Sequence, residues 1–201
     1  MDRTKTIASL EKHGFRVREF ATGAEASDYL NAQIDGVSVA FSGSVTLQQL
    51  GLYESLSAHN ELLWHWKPGE GRSVGETLAQ AMHTEVYLCS ANAVTEDGTL
   101  VNMDGVGNRI SSIFYGHRRL YYVVSEKKLV KDLAAAEERI RNVATPRNCK
   151  RMGLQTPCAV RGDRCYHCEG ANCPMCGMSV QLRPMIGVET EVLLLCEDFG
   201  Y

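Results

Sequence analysis

The sequence predicts an α/β fold, a mostly parallel sheet with helices on both faces. Two observations carry this. Short β-branched or apolar runs alternate with amphipathic stretches between residues 37 and 144, the pattern of strands joined by crossover helices. The 201-residue length suits one domain with a full core and is too short for two large ones.

The elements follow in order. VSVAF (37–41) reads as a strand and SGSVTLQQLGLYESLSA (42–58) as the loop and helix after it. ELLWHW (61–66) is the next strand, VGETLAQAM (74–82) the next helix, and TEVYLC (84–89) a strand again. LYYVV (120–124) is a buried strand. KKLVKDLAAAEERIRNVA (127–144) reads as one long helix with Leu129, Val130, Leu133, Ile140 and Val143 on one face, and Pro146 closes it. Beyond residue 148 the periodicity fails. A Cys- and Gly-rich loop at 149–178 is expected as an insertion before the last strand, EVLLLCEDF (191–199). There is no internal repeat and no low-complexity tract.

Composition narrows the function classes. A hydrophobic fraction of 44% is globular, and a net charge of −3 carries no basic footprint for nucleic acid. MDRTKTIASLEKHGF is polar throughout, unlike a signal peptide, and the longest apolar run, VLLLC (192–196), is too short to insert in a membrane. A cytoplasmic protein is expected, in which eight cysteines point to metal or cluster binding rather than disulfides.

In an open parallel sheet, loops at the carboxyl ends of strands form the ligand crevice. Two loops qualify. In SGSVTLQQLGL, Ser42, Gly43 and Ser44 lie between a strand and a helix start, where glycine admits close approach and free N–H groups attract an anion. In SANAVTEDGTLVNMDGVGNRI (90–110), short polar side chains crowd between Gly98, Gly105 and Gly107. Each loop has a plainer reading: Ser44 as an N-cap, and Asp97-Gly98 as a hairpin turn. GVG (105–107) lacks the third glycine of a dinucleotide fingerprint, so no nicotinamide or flavin site is expected.

GSVTLQQLGL, SANAVTEDGTLVNMDGVGNRI, KKLVKDLAAAEERIRNVATPRN and the TPC with its following cysteines resemble the LUD domain family, which contains lactate utilisation protein C. The resemblance runs from about residue 35 to LCEDFGY. It implies a single LUD-type domain over residues 1–201, a three-layer architecture like NagB, ribose-5-phosphate isomerase and CoA-transferases, and a role beside iron–sulfur partner proteins in oxidising L-lactate to pyruvate. In proteins of that architecture the equivalent glycine- and acid-rich loop faces a small anion, so the 92–109 stretch is expected as a pocket lip. Asn92, Gly98, Asn102, Asp104, Asn108 and Arg109, with Ser42, Gly43 and Ser44, are the candidate ligand residues. Arg109 would pair with a lactate- or pyruvate-like carboxylate in a bidentate fork. Glu96 and Asp97 are the carboxylates available for proton transfer.

The rival reading is a stand-alone enzyme, CoA-transferase- or isomerase-like, acting on a small acid or a sugar phosphate. TEDG (95–98) is similar to the Ser-Glu-Asn-Gly element of family I CoA-transferases, which would make Glu96 a nucleophile. Thr95 and Asp97 depart from that element.

The other constellation is Cys158, Cys165, Cys168, Cys173 and Cys176, five sulfurs within nineteen residues. A zinc ribbon separates its pairs by about 15–20 residues, unlike here. The density is nearer that of iron–sulfur ligand runs. The resemblance implies Cys158, Cys165, Cys168 and Cys173 as a set of four for an iron–sulfur cluster or a zinc ion, with Cys176 additional and His167 able to substitute. The plainer alternative is free thiols on a loop. Cys89 and Cys196 read as core residues. LWHW (63–66) reads as core with His65 on the opposite face, and Arg139, Arg141, Arg147, Lys150 and Arg151 as a solvated basic face.

Overall fold

The computed structural model describes residues 2–170 and 172–201. Short polar side chains set many helix starts. The Asp2 carboxylate accepts from Lys5 N at the head of α1 (Arg3–Lys12), and capping boxes Thr22/Glu25 and Ser73/Glu76 open α2 (Gly23–Gln33) and α5 (Val74–Ala81). Between them lie β1 (Arg16–Phe20), β2 (Ser38–Phe41), the short helices α3 (Val45–Gln49) and α4 (Leu52–Leu56), and β3 (Glu61–Trp64). Gly51, at φ +63°, breaks the expected helix after β2 into these two turns.

Then follow β4 (Val86–Cys89), the hairpin of β5 (Ala93–Thr95) and β6 (Leu100–Asp104), α6 (Asn108–Phe114) and β7 (Arg119–Ser125). Strand β8 (Leu129–Val130), α7 (Leu133–Arg139), α8 (Thr145–Arg151), α9 (Pro157–Arg161), β9 (Gly177–Gln181) and β10 (Glu189–Leu195) complete the order.

The main sheet is parallel, in the order β1-β10-β7-β4-β2-β3. Alternation along its strands splits the side chains between two cores. Phe41, Trp64, Leu88, Val123 and Leu193 pack against α2, α3 and α4 on one face. Tyr87, Cys89, Tyr122, Val124 and Val192 pack on the other against α1, α5, α6 and a second sheet. The α/β class with helices on both faces is therefore correct.

The second sheet, β8-β5-β6-β9, is an addition to the expected plan. Its β5–β6 and β6–β9 pairs are antiparallel and its β5–β8 pair parallel. Its far face carries a small core of Ala93, Val101 and Val130 under Ala136 and Ile140.

Three expectations need correction. Residues 127–144 are not one helix. Glu126–Lys128 form a 3-10 turn, and Leu129–Val130 pair with Val94–Thr95 as β8. The Asp132 carboxylate then accepts from Ala135 N and starts the helix at Leu133. The apolar stripe is thus divided, Leu129 to one core and Val130 to another.

Pro146 does not end the helix either. A π-helical turn, Ile140–Ala144, links α7 to α8, and Pro146 lies in the first turn of α8. The wider turn accommodates a ring that would clash with a regular α backbone. Finally, the 149–178 segment holds the end of α8, the whole of α9 and the start of β9, and β9 stands between it and the last strand. Position 171 of that segment lies outside the described residues.

Among the described residues, no helix is long and apolar enough to cross a membrane.

Candidate functional site

A cavity of about 70 Å³ opens at the carboxyl edge of the main sheet. Four of its walls follow strand ends: Gly43–Thr46 after β2, Ser90–Asn92 after β4, Lys128 after β7, and Gly200 and Tyr201 after β10. Met103 and Arg109 come from β6 and α6, while Ile140, Ala144, Thr145 and Asn148 come from the π turn and α8. Pro174 is the contribution of the Cys-rich segment.

Lys128 dominates the electrostatics. Its residue is 3% exposed, and its Nζ donates to Thr46 Oγ1 at 2.8 Å and to Ser90 Oγ at 2.9 Å. No carboxylate among the described residues pairs with it. Burial, with the nearby charges of Arg139, Arg109 and Lys127, holds its pKa well below the usual lysine value. Arg139 stands behind the wall: its Nη1 donates to the Asn92 carbonyl at 2.6 Å, and burial with Arg147 lowers its pKa to about 10. The expectation of a solvated basic face therefore fails at Arg139, which is half-buried.

Arg109 also lines the cavity. Its Nη2 donates to the Met103 carbonyl and, at 3.5 Å, to Asn92 Oδ1, while its buried Nε has no partner among the described residues. Asp104 builds the turn that carries it, accepting from Arg109 N at 2.9 Å, Ile110 N at 3.2 Å and Val106 N at 3.3 Å. Burial opposes the Asp104 carboxylate, but the Arg109 guanidinium and these N–H groups outweigh it, so the pKa lies below the usual value.

The structure divides the sequence-predicted ligand residues. Gly43, Ser44, Asn92 and Arg109 line the cavity. Ser44 also caps α3, accepting from Leu47 N at 3.4 Å, and Gly43 sits where a Cβ would lie 3.1 Å from His65 Nε2. Burial pushes the His65 imidazole pKa down. Ser42 is buried beside the lining, its carbonyl accepting from Trp64 Nε1 at 3.0 Å. Asn102 is 1% exposed within β6, outside the lining, and Asn108 stands at the start of α6.

Glu96, Asp97 and Gly98 occupy the β5–β6 turn, away from the cavity lining. Glu96 pairs with Lys5 at 3.1 Å and accepts from Asp2 N, contacts that lower its pKa. Asp97 accepts from the Thr95 hydroxyl. Gly98, at φ +81°, presses against α1, where a Cβ would lie 2.7 Å from the Ser9 backbone. The length of the hairpin explains the separation, since a strand rises about 3.3 Å per residue: Asn92 and Asp104 sit at its open end and the TEDG turn at its closed end.

The cysteines do not gather at one point. Cys158 is buried against Cys149 and Ala159, with Thr156 Oγ1 3.3 Å from its sulfur. Burial pushes the Cys149 thiol up to about 11. Cys165 lies half-buried, accepting from His167 N at 3.4 Å, and Cys176 is exposed. Among the described residues, no three His, Cys, Asp or Glu side chains are grouped to hold a metal ion. Cys158, Cys165, Cys168, Cys173 and Cys176 are therefore not gathered into a four-thiolate set in this arrangement.

Sequence reasoning missed Lys128, Arg139, Thr46, Ser90 and the Gly200–Tyr201 wall. A signal for Lys128 was present. Asp132 is a helix N-cap, which starts the helix at residue 133 and leaves 126–131 as a connection at the carboxyl end of a strand.

A family model described as LUD domain matches residues 3–173. No curated protein matches the chain. Among solved structures, a DUF162 family protein from Deinococcus radiodurans superposes over 97% of this chain and 99% of its own, with a TM-score of 0.52 at 10% identity, a likeness of fold. Ribose 5 phosphate isomerase A from Neisseria gonorrhoeae overlaps 55% of this chain and 54% of its own, with a TM-score of 0.34 at 15% identity. With the family model matching most of its length, the chain belongs to the LUD domain family, the lactate-utilisation-related group its motifs resemble.

Proposed function

We propose that the cavity binds a small organic anion of the lactate or pyruvate class, and that the chain serves as the anion-binding subunit of an assembly that oxidises L-lactate with iron–sulfur partner proteins. One observation carries the first half: Lys128 is buried, with no carboxylate partner among the described residues, on the wall of a small cavity that Arg109 also lines. Burial and the neighbouring cations oppose charge on Lys128, and a bound carboxylate offsets the cost of charging it. Size supports the same class. About 70 Å³ of space beside Lys128 and Arg109 is on the scale of a small acid. Family membership supports the second half.

The transferase alternative draws no support from the geometry, since Glu96 is engaged by Lys5 at a hairpin tip outside the lining. Titration calorimetry with L-lactate, pyruvate and ribose 5-phosphate, on wild type and Arg109→Ala, tests the binding. Micromolar to millimolar binding of the acids, weakened at least tenfold in the variant, is expected. Preference for the sugar phosphate, or equal binding by both proteins, would overturn the assignment. For the assembly, lactate-dependent reduction of an artificial acceptor should need both this chain and its iron–sulfur partners. Turnover by the isolated chain would refute a subunit role.

A further inference from the structure

Lys128 is held in a way that simple charge pairing does not require. A neutral amine has two N–H bonds and one lone pair. Thr46 Oγ1 and Ser90 Oγ are two hydroxyl acceptors at 2.8 and 2.9 Å, enough to take both N–H bonds and leave the lone pair unengaged on a residue that lines the cavity. The charges around it are Arg109, Arg139 and Lys127, which disfavour an ammonium at this position. Gly200 walls off another approach: a Cβ there would lie 3.0 Å from Nζ and would collide with the Thr46 hydroxyl. Desolvation beside other cations is the setting in which lysine becomes a nucleophile towards carbonyl compounds.

We infer that Lys128 captures the C2 carbonyl of a small 2-oxo acid as a Schiff base, with Arg109 holding the acid's carboxylate. The inference rests on the anion-site reading of the same cavity. The Nζ lone pair forms the N–C2 bond while the carbonyl π pair moves to oxygen. Oxygen takes up a proton as nitrogen loses one, giving a carbinolamine. The C2–O bond then breaks with loss of water, and the imine remains. No oxidant or reductant takes part. The Thr46 and Ser90 hydroxyls, already bonded to Nζ, are placed to relay these protons. A 2-hydroxy acid has no carbonyl to capture, so lactate would occupy the cavity without bonding, and the lysine would tell oxidised from reduced acid.

Borohydride trapping tests this on the full chain. Wild-type protein is incubated with pyruvate, reduced, and weighed intact and as peptides. One adduct per chain is expected, equal to pyruvic acid less one oxygen atom and mapped to Lys128. L-lactate should give no adduct and should suppress the pyruvate adduct by competition, and Lys128→Arg should abolish it. Calorimetric binding of pyruvate with no trapped adduct would overturn the Schiff base and leave the anion site standing. Neither binding nor adduct would overturn both. Adducts on other lysines, with Lys128 unmodified in wild type, would likewise refute the inference, and peptide mapping decides this even where a variant folds poorly.

Discussion

Residues 90–110 and residues 149–178 are the two parts of the chain richest in chemically capable side chains, and the fold treats them differently. The first begins at the carboxyl end of β4, so Ser90, Asn92 and, through β6 and α6, Arg109 converge on a cavity that the loops after β2 and β7 also reach. The second runs from the end of α8 to the start of β9 and lends the cavity Pro174, while its sulfurs range from a buried Cys158 to an exposed Cys176. Density of reactive residues does not make a site. Attachment to the sheet's carboxyl edge does, because there separate loops are forced towards one point.

The largest effect is expected from removing the group on which the first region converges. Lys128→Met should weaken pyruvate or lactate binding by about 2–5 kcal/mol, the usual loss for a buried charge partner. The ligand-free variant should be at least as resistant to urea as wild type, since no lysine then has to be desolvated or to give up its proton on folding. Undiminished binding would move the site elsewhere.

Next in size is the far end of the same hairpin. Gly98→Ala places a Cβ against α1 at a left-handed φ, and should destabilise the fold by about 1–3 kcal/mol, read from the urea midpoint. Affinity for the acid should stay within twofold, because residue 98 lies outside the cavity. A variant of normal stability and poor binding would return the hairpin tip to the site.

Titration gives a smaller effect with a definite sign. The folded pKa of Lys128 is depressed, so between that value and the ordinary one near about 10.4 only the unfolded chain binds the proton, and stability must rise with pH by up to about 1.4 kcal/mol per unit. Asp104 has a lowered folded pKa, so its contribution is present above the ordinary carboxylate value and is lost as pH falls through the folded one. Urea midpoints across pH should show both trends. Lys128→Met should abolish the alkaline rise and Asp104→Asn the acid loss. Wild-type slopes surviving in these variants would contradict the assignments.

The smallest effect belongs to the second region. Cys165→Ser and Cys176→Ser should shift stability by less than about 0.5 kcal/mol and leave acid binding unchanged. Metal analysis of anaerobically purified protein sharpens the contrast. Stoichiometric iron or zinc, lost in Cys165→Ser, would mean that the segment gathers its sulfurs around a metal in a way this arrangement does not.

Much of the main sheet was legible because each strand carries its own signal. VSVAF, TEVYLC and LYYVV are dense in apolar and β-branched residues, as strands buried on both faces must be. The N-terminal RVREF was harder, since an edge strand covered on one side has no such density. Leu129 and Val130 fell at helical spacing from Leu133 and were absorbed into a helix, although they pair with β5 as a strand. That error hid Lys128. Gly43, Ser44, Asn92 and Arg109 were reachable from strand-end loops, whereas Gly200 and Tyr201 reach the cavity only through the placement of β10 inside the sheet, which is a matter of tertiary order.

The π turn between α7 and α8 sets a rotational phase. An α-helix advances about 100° per residue, so one residue inserted into or removed from Ile140–Ala144 would turn all of α8 by about that angle relative to α7. The wall formed by Ile140, Ala144, Thr145 and Asn148 spans this irregular turn, and it faces the cavity only at the present phase. Pro146 just beyond guards the setting, because a regular α backbone through residue 146 would have to accept its ring. The turn thus acts as an indexing notch: a single-residue deletion within 140–144 would rotate Asn148, and with it the contact to the Tyr201 hydroxyl at 2.9 Å, out of register with the cavity while α7 kept its place on the small sheet.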